Sequence, residues 1–139
     1  PRLYQWVNDL TFMPPERRIV VEQANLPKFD YVRSPALLKA CRELACQHCG
    51  KEDGTVACCH SNWSDHGKAL AQRADDSRAA SGCFDCHRGL DQGKRYTEAE
   101  KRARFLRAHA RTLTLLVAGG HWPKRVPIPD TSESSYAAP

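Results

Sequence analysis

The clearest periodic pattern of the chain lies between residues 97 and 120. Apolar residues recur there every three or four positions, as on one face of a helix, at Ala99, Ala103, Leu106, Ala110, Leu113 and Val117. The opposite side of the same helix is basic and carries Arg104, Arg107 and Arg111. Thr97 followed three residues later by Glu100 predicts a capping box at the start, and two glycines at 119 and 120 predict the end. We therefore expect a long helix that packs one face on a core and presents basic side chains on the other.

Three weaker patterns precede this helix. Ser34 before Pro35 predicts the start of a helix that ends near Cys46, because serine caps helices and proline suits the first helical position. The short apolar stretch from residue 55 to residue 59 predicts one strand of a β-hairpin. Residues 63–81 are polar and lack clear periodicity, so we expect a long loop with at most a helical turn there.

The two ends of the chain differ from its middle. Residues 1–33 contain four prolines and one β-like run, RRIVVE at 17–22, which predicts an extended N-terminal arm with one strand. Residues 123–139 are rich in proline and serine and predict a flexible tail. The folded domain is therefore expected at residues 34–122.

Composition narrows the class of protein. The 139 residues suit one domain with a small core, and they include seven cysteines, an odd number at short spacings. The chain opens without the charged and apolar segments of a secretion signal, so we expect a cytoplasmic protein with a metal site rather than a secreted disulfide scaffold. No apolar run approaches the roughly 18 residues of a membrane span. The net charge of +5 permits nucleic-acid binding without requiring it.

Two CxxC pairs supply the strongest chemical signal. Cys46 and Cys49 form one pair, Cys83 and Cys86 the other. Four soft thiolates that grip a tetrahedral ion from two tight turns are typical of structural Zn²⁺. A thioredoxin-like redox motif is the alternative, but neither pair lies in a βαβ pattern, and one redox pair would not explain the other. The remaining cysteines are expected to be small buried hydrophobes: they are Cys41, Cys58 and Cys59.

Two histidines are placed to serve a second site. His87 directly follows Cys86, so its side chain leaves the predicted helix in a different direction from the thiol. His60 lies between the two CxxC pairs, on the predicted hairpin, which a zinc ion would hold against that helix. A lone histidine is most often a structural hydrogen-bonding group. Two histidines on segments that the four cysteines would hold together favour a catalytic site.

The order CxxC, hairpin histidine and CxxCH at a helix start resembles the HNH nucleases, also called His-Me finger or ββα-metal nucleases, that carry a structural zinc. The segments ACCHSNWSDHGKALAQRADD and GCFDCHRGLDQGKRYTEAEKRARFLRAHART are similar to a family of small phage and prophage HNH-like nucleases. The resemblance covers residues 34–122. It implies a small α+β domain of ββα-metal, treble-clef-like architecture stapled by zinc, acting as a metal-dependent endonuclease or nickase on DNA in the cytoplasm of a bacterial host.

The resemblance also implies roles for individual residues. His60 would be the general base that activates water, and His87 would bind a catalytic divalent metal such as Mg²⁺. The zinc ligands would be Cys46, Cys49, Cys83 and Cys86. The central asparagine of the HNH pattern has no clear counterpart, because Asn62 follows His60 too closely to take that position.

One position departs from the HNH pattern. HNH nucleases usually carry an acidic metal ligand directly before the base, where this chain has Cys59. The missing oxygen ligand could come from Asp91, four residues after His87 and thus on the same helix face, or from Asp65 or Asp76 in the loop. For Asp91, an ordinary solvated helix-surface acid is an equally good interpretation.

Basic residues support DNA binding. From Lys94 to Arg125 the chain has nine lysines or arginines and two glutamates. Such a surface neutralises phosphates without reading sequence, although a solvated helix face is the commoner meaning of a charge run. Arg78 adds charge in the loop. The expected DNA-binding residues are Lys68, Arg73, Arg104, Arg107 and Arg111.

Two other functions are compatible with the same residues. A non-catalytic zinc module could bind DNA or a phage protein, in keeping with Cys59 in place of an acid, and a purely structural zinc knuckle could serve in assembly. Cleavage of plasmid with Mg²⁺, Mn²⁺ or Ni²⁺ separates the nuclease from both alternatives. A gel shift without added metal separates the DNA-binding module from the assembly protein.

Overall fold

The computed structural model describes residues 30–132 of the chain. The predicted strand at 17–22, with most of the predicted arm, and the last seven residues of the predicted tail lie outside these residues. Within them the chain forms three α-helices and a two-stranded sheet. In chain order the elements are α1 (Pro35–Arg42), β1 (Ala57–His60), β2 (Ala79–Gly82), α2 (Phe84–Asp91) and α3 (Glu98–Ala118), with short 3-10 turns at Ser64–His66 and Asp76–Arg78.

α1 begins as the sequence predicts. The Ser34 side chain accepts a hydrogen bond of 3.2 Å from the backbone N–H three residues on, and Pro35 lies in the first turn. The helix ends at Arg42, earlier than the predicted end near Cys46. The chain leaves the helix first because the Cys46 N–H donates instead to the carbonyl of Lys51, at 2.9 Å, within the first CxxC turn.

β1 and β2 pair antiparallel, with Ala57 opposite Gly82 and His60 opposite Ala79. The predicted hairpin strand at 55–59 is present and slightly shifted, to 57–60. The connection between the strands is long and runs through both 3-10 turns. It carries several of the polar side chains of the candidate site.

The first three of the four residues of β2 lie inside the region that the sequence predicts to be a loop. Its sequence AASG contains no β-branched or aromatic residue, so local propensity favours no strand there. Tertiary contacts hold it instead. The Ser81 N–H donates to the Thr112 hydroxyl at 3.0 Å, and the Ser81 hydroxyl donates to the Cys41 carbonyl at 2.8 Å.

The ends of α3 are as predicted. The Glu100 N–H donates to the Thr97 hydroxyl at 3.2 Å, and the Thr97 N–H donates to the Glu100 carboxylate at 2.8 Å, which completes the capping box. The helix ends at Ala118 and is followed by Gly119 and by Gly120, whose φ is 71°. Glycine suits that last position because it adopts positive φ without a steric penalty.

The buried face of α3 is rotated from the predicted stripe. Its buried residues are Phe105, Leu106, Ala108, His109, Thr112, Leu113 and Leu116. The prediction was wrong for Ala99, which is exposed, and for Val117, which is 43% exposed. Polar His109 lies inside because its Nε2 donates to the carbonyl of Ser77 at 2.9 Å, and periodicity of apolar residues carries no signal for such a contact.

Two apolar clusters join these elements. Leu37 and Cys41 of α1 pack with Leu116 of α3 in the first, and Ala80 of β2 packs with Phe105 of α3 in the second. β1 thus lies against α1 and β2 against α3, while α2 follows β2 directly. The result is a small α+β fold. No helix within residues 30–132 is long and apolar enough to cross a membrane.

Candidate functional site

Four cysteines converge where the first CxxC turn meets the start of α2. The sulfur atoms of Cys46, Cys49, Cys83 and Cys86 all lie within 4.8 Å of one another, and those of Cys49 and Cys83 are 3.7 Å apart. Four sulfur donors arranged this way match the requirements of a tetrahedral structural site. The four predicted ligands therefore form a cluster that can hold a metal ion such as zinc, which we call the four-cysteine cluster.

Local backbone structure explains how each turn presents two thiols. In the first turn Gly50 has a φ of 79°, and its N–H donates to the Cys46 carbonyl at 2.8 Å. In the second, Cys83 is the N-cap residue of α2, and Cys86 lies in the first turn of that helix. The Gln47 N–H donates to a carbonyl of β2 at 2.8 Å and ties the first turn to the sheet.

The thiols of the four-cysteine cluster differ in acidity. Burial acts to raise the pKa of Cys46, but nearby backbone N–H groups, that of Cys83 foremost, outweigh it and lower the pKa to about 7. Burial, together with neighbouring thiols, raises the pKa values of Cys83 and Cys86. The sulfurs that keep their protons must release them when a cation binds, so metal affinity should grow as the pH rises.

His60 forms a hydrogen bond with a buried carboxylate. Its Nε2 lies 2.8 Å from Oδ1 of Asp76, whose side chain is fully buried, while the His60 side chain is 18% exposed. Burial lowers the pKa of His60, and the hydrogen bond and charge of Asp76 offset that only in part. The imidazole is therefore mostly neutral at pH 7 and can accept a proton.

Asp76 also ties three segments of the chain together. Its Oδ2 accepts the backbone N–H of Ser34 at 2.8 Å, and its Oδ1 lies 3.4 Å from Arg33 and 3.5 Å from Arg73. The segment before α1 is thereby joined to the 3-10 turn before β2. Removal of this carboxylate would leave two arginines and a backbone N–H without their anion.

Of the three acids that the sequence offers as an oxygen ligand, Asp91 is the one that lies against His87. The Nε2 atom of His87 is 2.9 Å from Oδ2 of Asp91, as residues four apart on a helix allow. Asp65 instead forms a two-pronged ion pair with Arg102, at 3.0 and 2.6 Å. Asp76 is committed to the contacts described above.

Asp91 of the His87–Asp91 pair lines a surface cavity. The side chains of the pair are 39% and 35% exposed, and the Asn62 amide donates to the Asp91 carboxylate. Asn62, Lys68 and Asp91 line the cavity, which has a volume of about 430 Å³. Hydrogen bonds to Asp91 and to Cys59 raise the pKa of His87 to about 10. A metal ion would have to displace that proton before the imidazole could bind it.

His60 and His87 belong to different neighbourhoods. Consecutive residues of a strand point to opposite faces, so Cys59 contacts His87 of α2 whereas His60 contacts Asp76. In the described part of the chain, no hydrogen bond joins the two imidazoles. The two histidines that the sequence predicts as site residues thus each form a carboxylate–imidazole pair, one at the end of β1 and one on α2.

Sequence reasoning missed two residues of this region. It predicts only a space-filling role for Cys59, which is 2% exposed and whose sulfur also contacts His87. It assigns nothing to His48, whose Nε2 is buried without a hydrogen-bond partner. Burial, and then the charge of Arg104 and its neighbours, lower the pKa of His48 to about 4. The available signals were a histidine inside a CxxC turn and a cysteine directly before a hairpin histidine.

The two predicted DNA-binding residues of the strand connection lie beside different pairs. Lys68 lines the cavity next to Asp91. Arg73 is half exposed and lies 3.5 Å from Asp76. Of these two residues, only Lys68 has no ion pair with a carboxylate within 4 Å in the described part of the chain, and it lies beside the exposed pair.

The three predicted DNA-binding arginines of α3 lie beside the first CxxC turn: they are Arg104, Arg107 and Arg111. Arg111 donates to the Gln47 carbonyl at 3.2 Å, and Arg104 lies over the Tyr96 ring at 4.0 Å. All three contribute to the low pKa of His48. Since four thiolates and one Zn²⁺ together carry negative charge, these arginines would offset the charge of a filled cluster as well as face an external anion.

The chain matches no protein-family model, no curated protein and no solved structure. The resemblance to HNH nucleases therefore rests on the motifs themselves, and the function has to be argued from the residues of the site.

Proposed function

We propose that the protein is a metal-dependent endonuclease that nicks or cleaves DNA. One observation carries the proposal: the structure contains two carboxylate–imidazole pairs, Asp76–His60 at the end of β1 and Asp91–His87 on α2, and the four-cysteine cluster holds the start of the helix that bears the second pair. Phosphodiester hydrolysis needs a base for the attacking water and a cation for the charge on the phosphate. The two pairs differ in burial and in the protonation of the histidine, so one suits the base and the other the metal ligands.

The His60 pair fits the general base. Burial lowers the pKa of His60, so its imidazole is neutral before the reaction begins. Asp76 contacts one ring nitrogen at 2.8 Å, which orients the ring and leaves the other nitrogen to take a proton from water. Because the carboxylate is fully buried, it can also stabilise the imidazolium that forms.

The His87 pair fits the metal end of the site. An imidazole and a carboxylate are ordinary ligands of divalent metals; both side chains are more than one third exposed, and Asp91 lines the cavity. A divalent ion bound there would supply positive charge to the phosphate and to the leaving oxygen. Asn62 holds the carboxylate from its other oxygen, so the pair is oriented before any metal arrives.

The substrate class is inferred from charge. Lys68 stands at the cavity beside Asp91, where it can contact a phosphate next to the one that reacts. The arginines of α3 extend positive charge towards the four-cysteine cluster. Phage or prophage origin and a setting in the bacterial cytoplasm come from the family resemblance of the motifs.

The proposal is tested by nicking of supercoiled plasmid with Mg²⁺, Mn²⁺ or Ni²⁺. His60→Ala should lower the rate by about 10² to 10⁴, the usual cost of losing a general base, while Mn²⁺ binding persists. His87→Ala should weaken Mn²⁺ binding and regain part of its activity at high metal concentration. His121→Ala, an exposed histidine outside both pairs, is the matched control and should cleave normally. Wild-type protein that leaves plasmid intact with every ion would overturn the proposal.

A non-catalytic DNA-binding zinc module is the second candidate. One observation favours it: Cys59 occupies the position of the usual acid. This candidate predicts a gel shift of plasmid fragments without added metal, together with intact plasmid under all cleavage conditions. Cleavage that depends on both histidines excludes it.

A further inference from the structure

We propose that Leu70 is an apolar wedge that inserts between stacked base pairs of duplex DNA. It stands at the tip of a short hairpin, residues 66–75, in the connection between β1 and β2, which we call the Leu70 hairpin. The inference rests on the proposed function, since it takes DNA as the partner. It goes beyond that function in naming how the duplex is deformed and which base steps are preferred.

Leu70 is the most exposed large apolar side chain of the described residues. Its relative exposure is 104%, whereas the other exposed ones reach at most 60%, at Ile128. Single apolar side chains are common on protein surfaces, so exposure alone assigns no function. What distinguishes Leu70 is the ordered hairpin beneath it and the positive charge on either side of it.

Backbone hydrogen bonds fix the tip of the Leu70 hairpin. The Ala69 N–H donates to the carbonyl of Gln72 at 3.0 Å, and the Gln72 N–H donates back to the carbonyl of Ala69 at 3.2 Å. These bonds close a tight turn with Leu70 at its first position. Further from the tip, the Asp75 N–H donates to the carbonyl of His66 at 3.1 Å. Because the turn is already closed, little conformational entropy has to be lost when the tip binds a partner.

Side chains from the segment before α1 hold both arms of the hairpin. The Tyr31 hydroxyl donates to the carbonyl of Gly67 in the first arm, at 2.9 Å. The Arg33 guanidinium donates to the carbonyls of Arg73 and Ala74 in the second arm, at 3.0 and 2.7 Å. With both arms fixed to the domain, the tip can keep its position against a stack of bases.

Cations flank the apolar tip. Lys68 lies two residues before Leu70, and Arg73 lies three residues after it. Lys68 lines the cavity beside Asp91, and half-exposed Arg73 lies 3.5 Å from Asp76. Proteins that insert an apolar side chain at a base step also place cations on the neighbouring phosphates. The hairpin carries both of these elements.

Charge and size favour duplex DNA over other partners of the tip. A second copy of this chain would carry the same net charge of +5 and would meet like charge at Lys68 and Arg73. One leucine buries too little apolar area to hold a protein on a lipid bilayer. Duplex DNA offers phosphates to the cations and stacked bases to the leucine.

Insertion of Leu70 predicts a preference among base steps. Pyrimidine–purine steps such as TA unstack more easily than the steps within a stiff A-tract. The two arms bring Lys68 to Asp91 and Arg73 to Asp76, so a step opened by the tip would lie near a carboxylate–imidazole pair. We therefore expect tighter binding at TA steps than at A-tracts.

The test is binding of zinc-loaded full-length protein, without further metal, to a short duplex that carries 2-aminopurine at one TA step. The fluorescence of this base rises when it is unstacked, and we expect wild-type protein to raise it at least twofold. Leu70→Ala should lose the rise and bind about tenfold more weakly, because the buried leucine is lost. The slope of log K against log salt should not change, since leucine carries no charge. The same probe in an A-tract should show a smaller rise.

Further variants separate insertion from other effects. Leu70→Met keeps an apolar tip and should keep the rise, whereas Leu70→Lys should steepen the salt dependence without producing a rise. Leu115→Ala is the matched control, because it shortens another exposed leucine, on α3 and outside the hairpin; it should behave as the wild type. A rise that persists in Leu70→Ala would overturn the inference, as would wild-type protein that binds the duplex without a rise or does not bind it.

This inference and the proposed nuclease activity can fail separately, because the fluorescence assay needs no cleavage. Nicking of plasmid with Mg²⁺ by protein that never raises the fluorescence would support the nuclease and refute the wedge. A rise that depends on Leu70, in protein that leaves plasmid intact with every ion, would support the wedge and refute the nuclease.

Discussion

The two carboxylate–imidazole pairs contain the same chemical groups and have opposite protonation. In the Asp76–His60 pair burial dominates and lowers the histidine pKa. In the Asp91–His87 pair the hydrogen bonds dominate and raise the histidine pKa to about 10. The distances, 2.8 and 2.9 Å, are nearly identical, so distance is not what separates the pairs.

Burial and competing cations explain the difference. Asp76 is fully buried and shares its charge with Arg33 and Arg73, so less of that charge acts on the ring of His60. Asp91 is more than one third exposed between a neutral amide and His87, which also contacts the Cys59 thiol. An aspartate beside a histidine therefore does not by itself determine whether the histidine is neutral or protonated. Burial and the other neighbouring groups decide it.

The largest effect is expected from breaking the four-cysteine cluster, which holds the start of the helix that bears the Asp91–His87 pair. Cys86→Ser, or a strong chelator, should unfold the domain, because structural zinc sites contribute about 10 kcal/mol or more and small domains are stable by roughly 5–15 kcal/mol in total. The measurements are zinc content and far-UV circular dichroism on heating. A zinc-free sample with a full cooperative melt would contradict the expectation.

The next largest effect compares the two carboxylates. Asp76→Ala should cost about 3–5 kcal/mol, because it leaves Arg33, Arg73 and the Ser34 N–H without their buried anion. Asp91→Ala should cost about 0–1 kcal/mol, since both members of that pair are more than one third exposed. Urea unfolding of zinc-loaded protein measures both changes. Equal costs would show that the two pairs are not distinguished by burial.

The third effect is a difference in pH dependence. In protein with one Zn²⁺ per chain, His87 should remain protonated at pH 8, whereas His60 should already be neutral at pH 7. The pKa of His87 is raised on folding, so its stabilising contribution is complete below the unfolded value of about 6.5 and is lost as the pH rises through about 10. The pKa of His60 is lowered, so stability is lost as the pH falls below about 6.5.

Imidazole ¹⁵N chemical shifts followed from pH 5 to pH 10 test these signs directly. His87→Gln and His60→Gln assign the signals. A His87 signal that titrates at or below the ordinary histidine value would remove the contrast between the pairs.

The smallest effect concerns which pair faces DNA. Lys68→Gln, beside Asp91, should reduce the slope of log K against log salt by about 0.9, the value for one phosphate contact on duplex DNA. Arg73→Gln should change the slope less, because Arg73 is already engaged with Asp76. Fluorescence anisotropy of labelled duplex at several salt concentrations measures both, and Lys68→Arg should restore the slope. A larger change of slope for Arg73→Gln than for Lys68→Gln would place DNA at the buried Asp76–His60 pair.

Local rules account for much of what the sequence predicts correctly. Ser34 with Pro35 and Thr97 with Glu100 start their helices through contacts that span only three residues. The four-cysteine cluster is also predictable from the sequence, because two CxxC turns together supply the four sulfur ligands of one tetrahedral ion. The proximity of Asp91 to His87 follows from a spacing of four on one helix.

Only the tertiary structure decided the rest. β2 is a strand because Thr112 and Cys41 bond to it, although AASG has no strand propensity of its own. Asp76 can pair with His60 because the segment before α1 lies against it and the Ser34 N–H donates to its carboxylate. These contacts join residues 16 to 42 positions apart, and no periodicity or spacing in a single sequence reports which distant groups will share a buried volume. Protonation follows burial, so the distinct chemistry of His60 and His87 could be derived only after the chain had been folded.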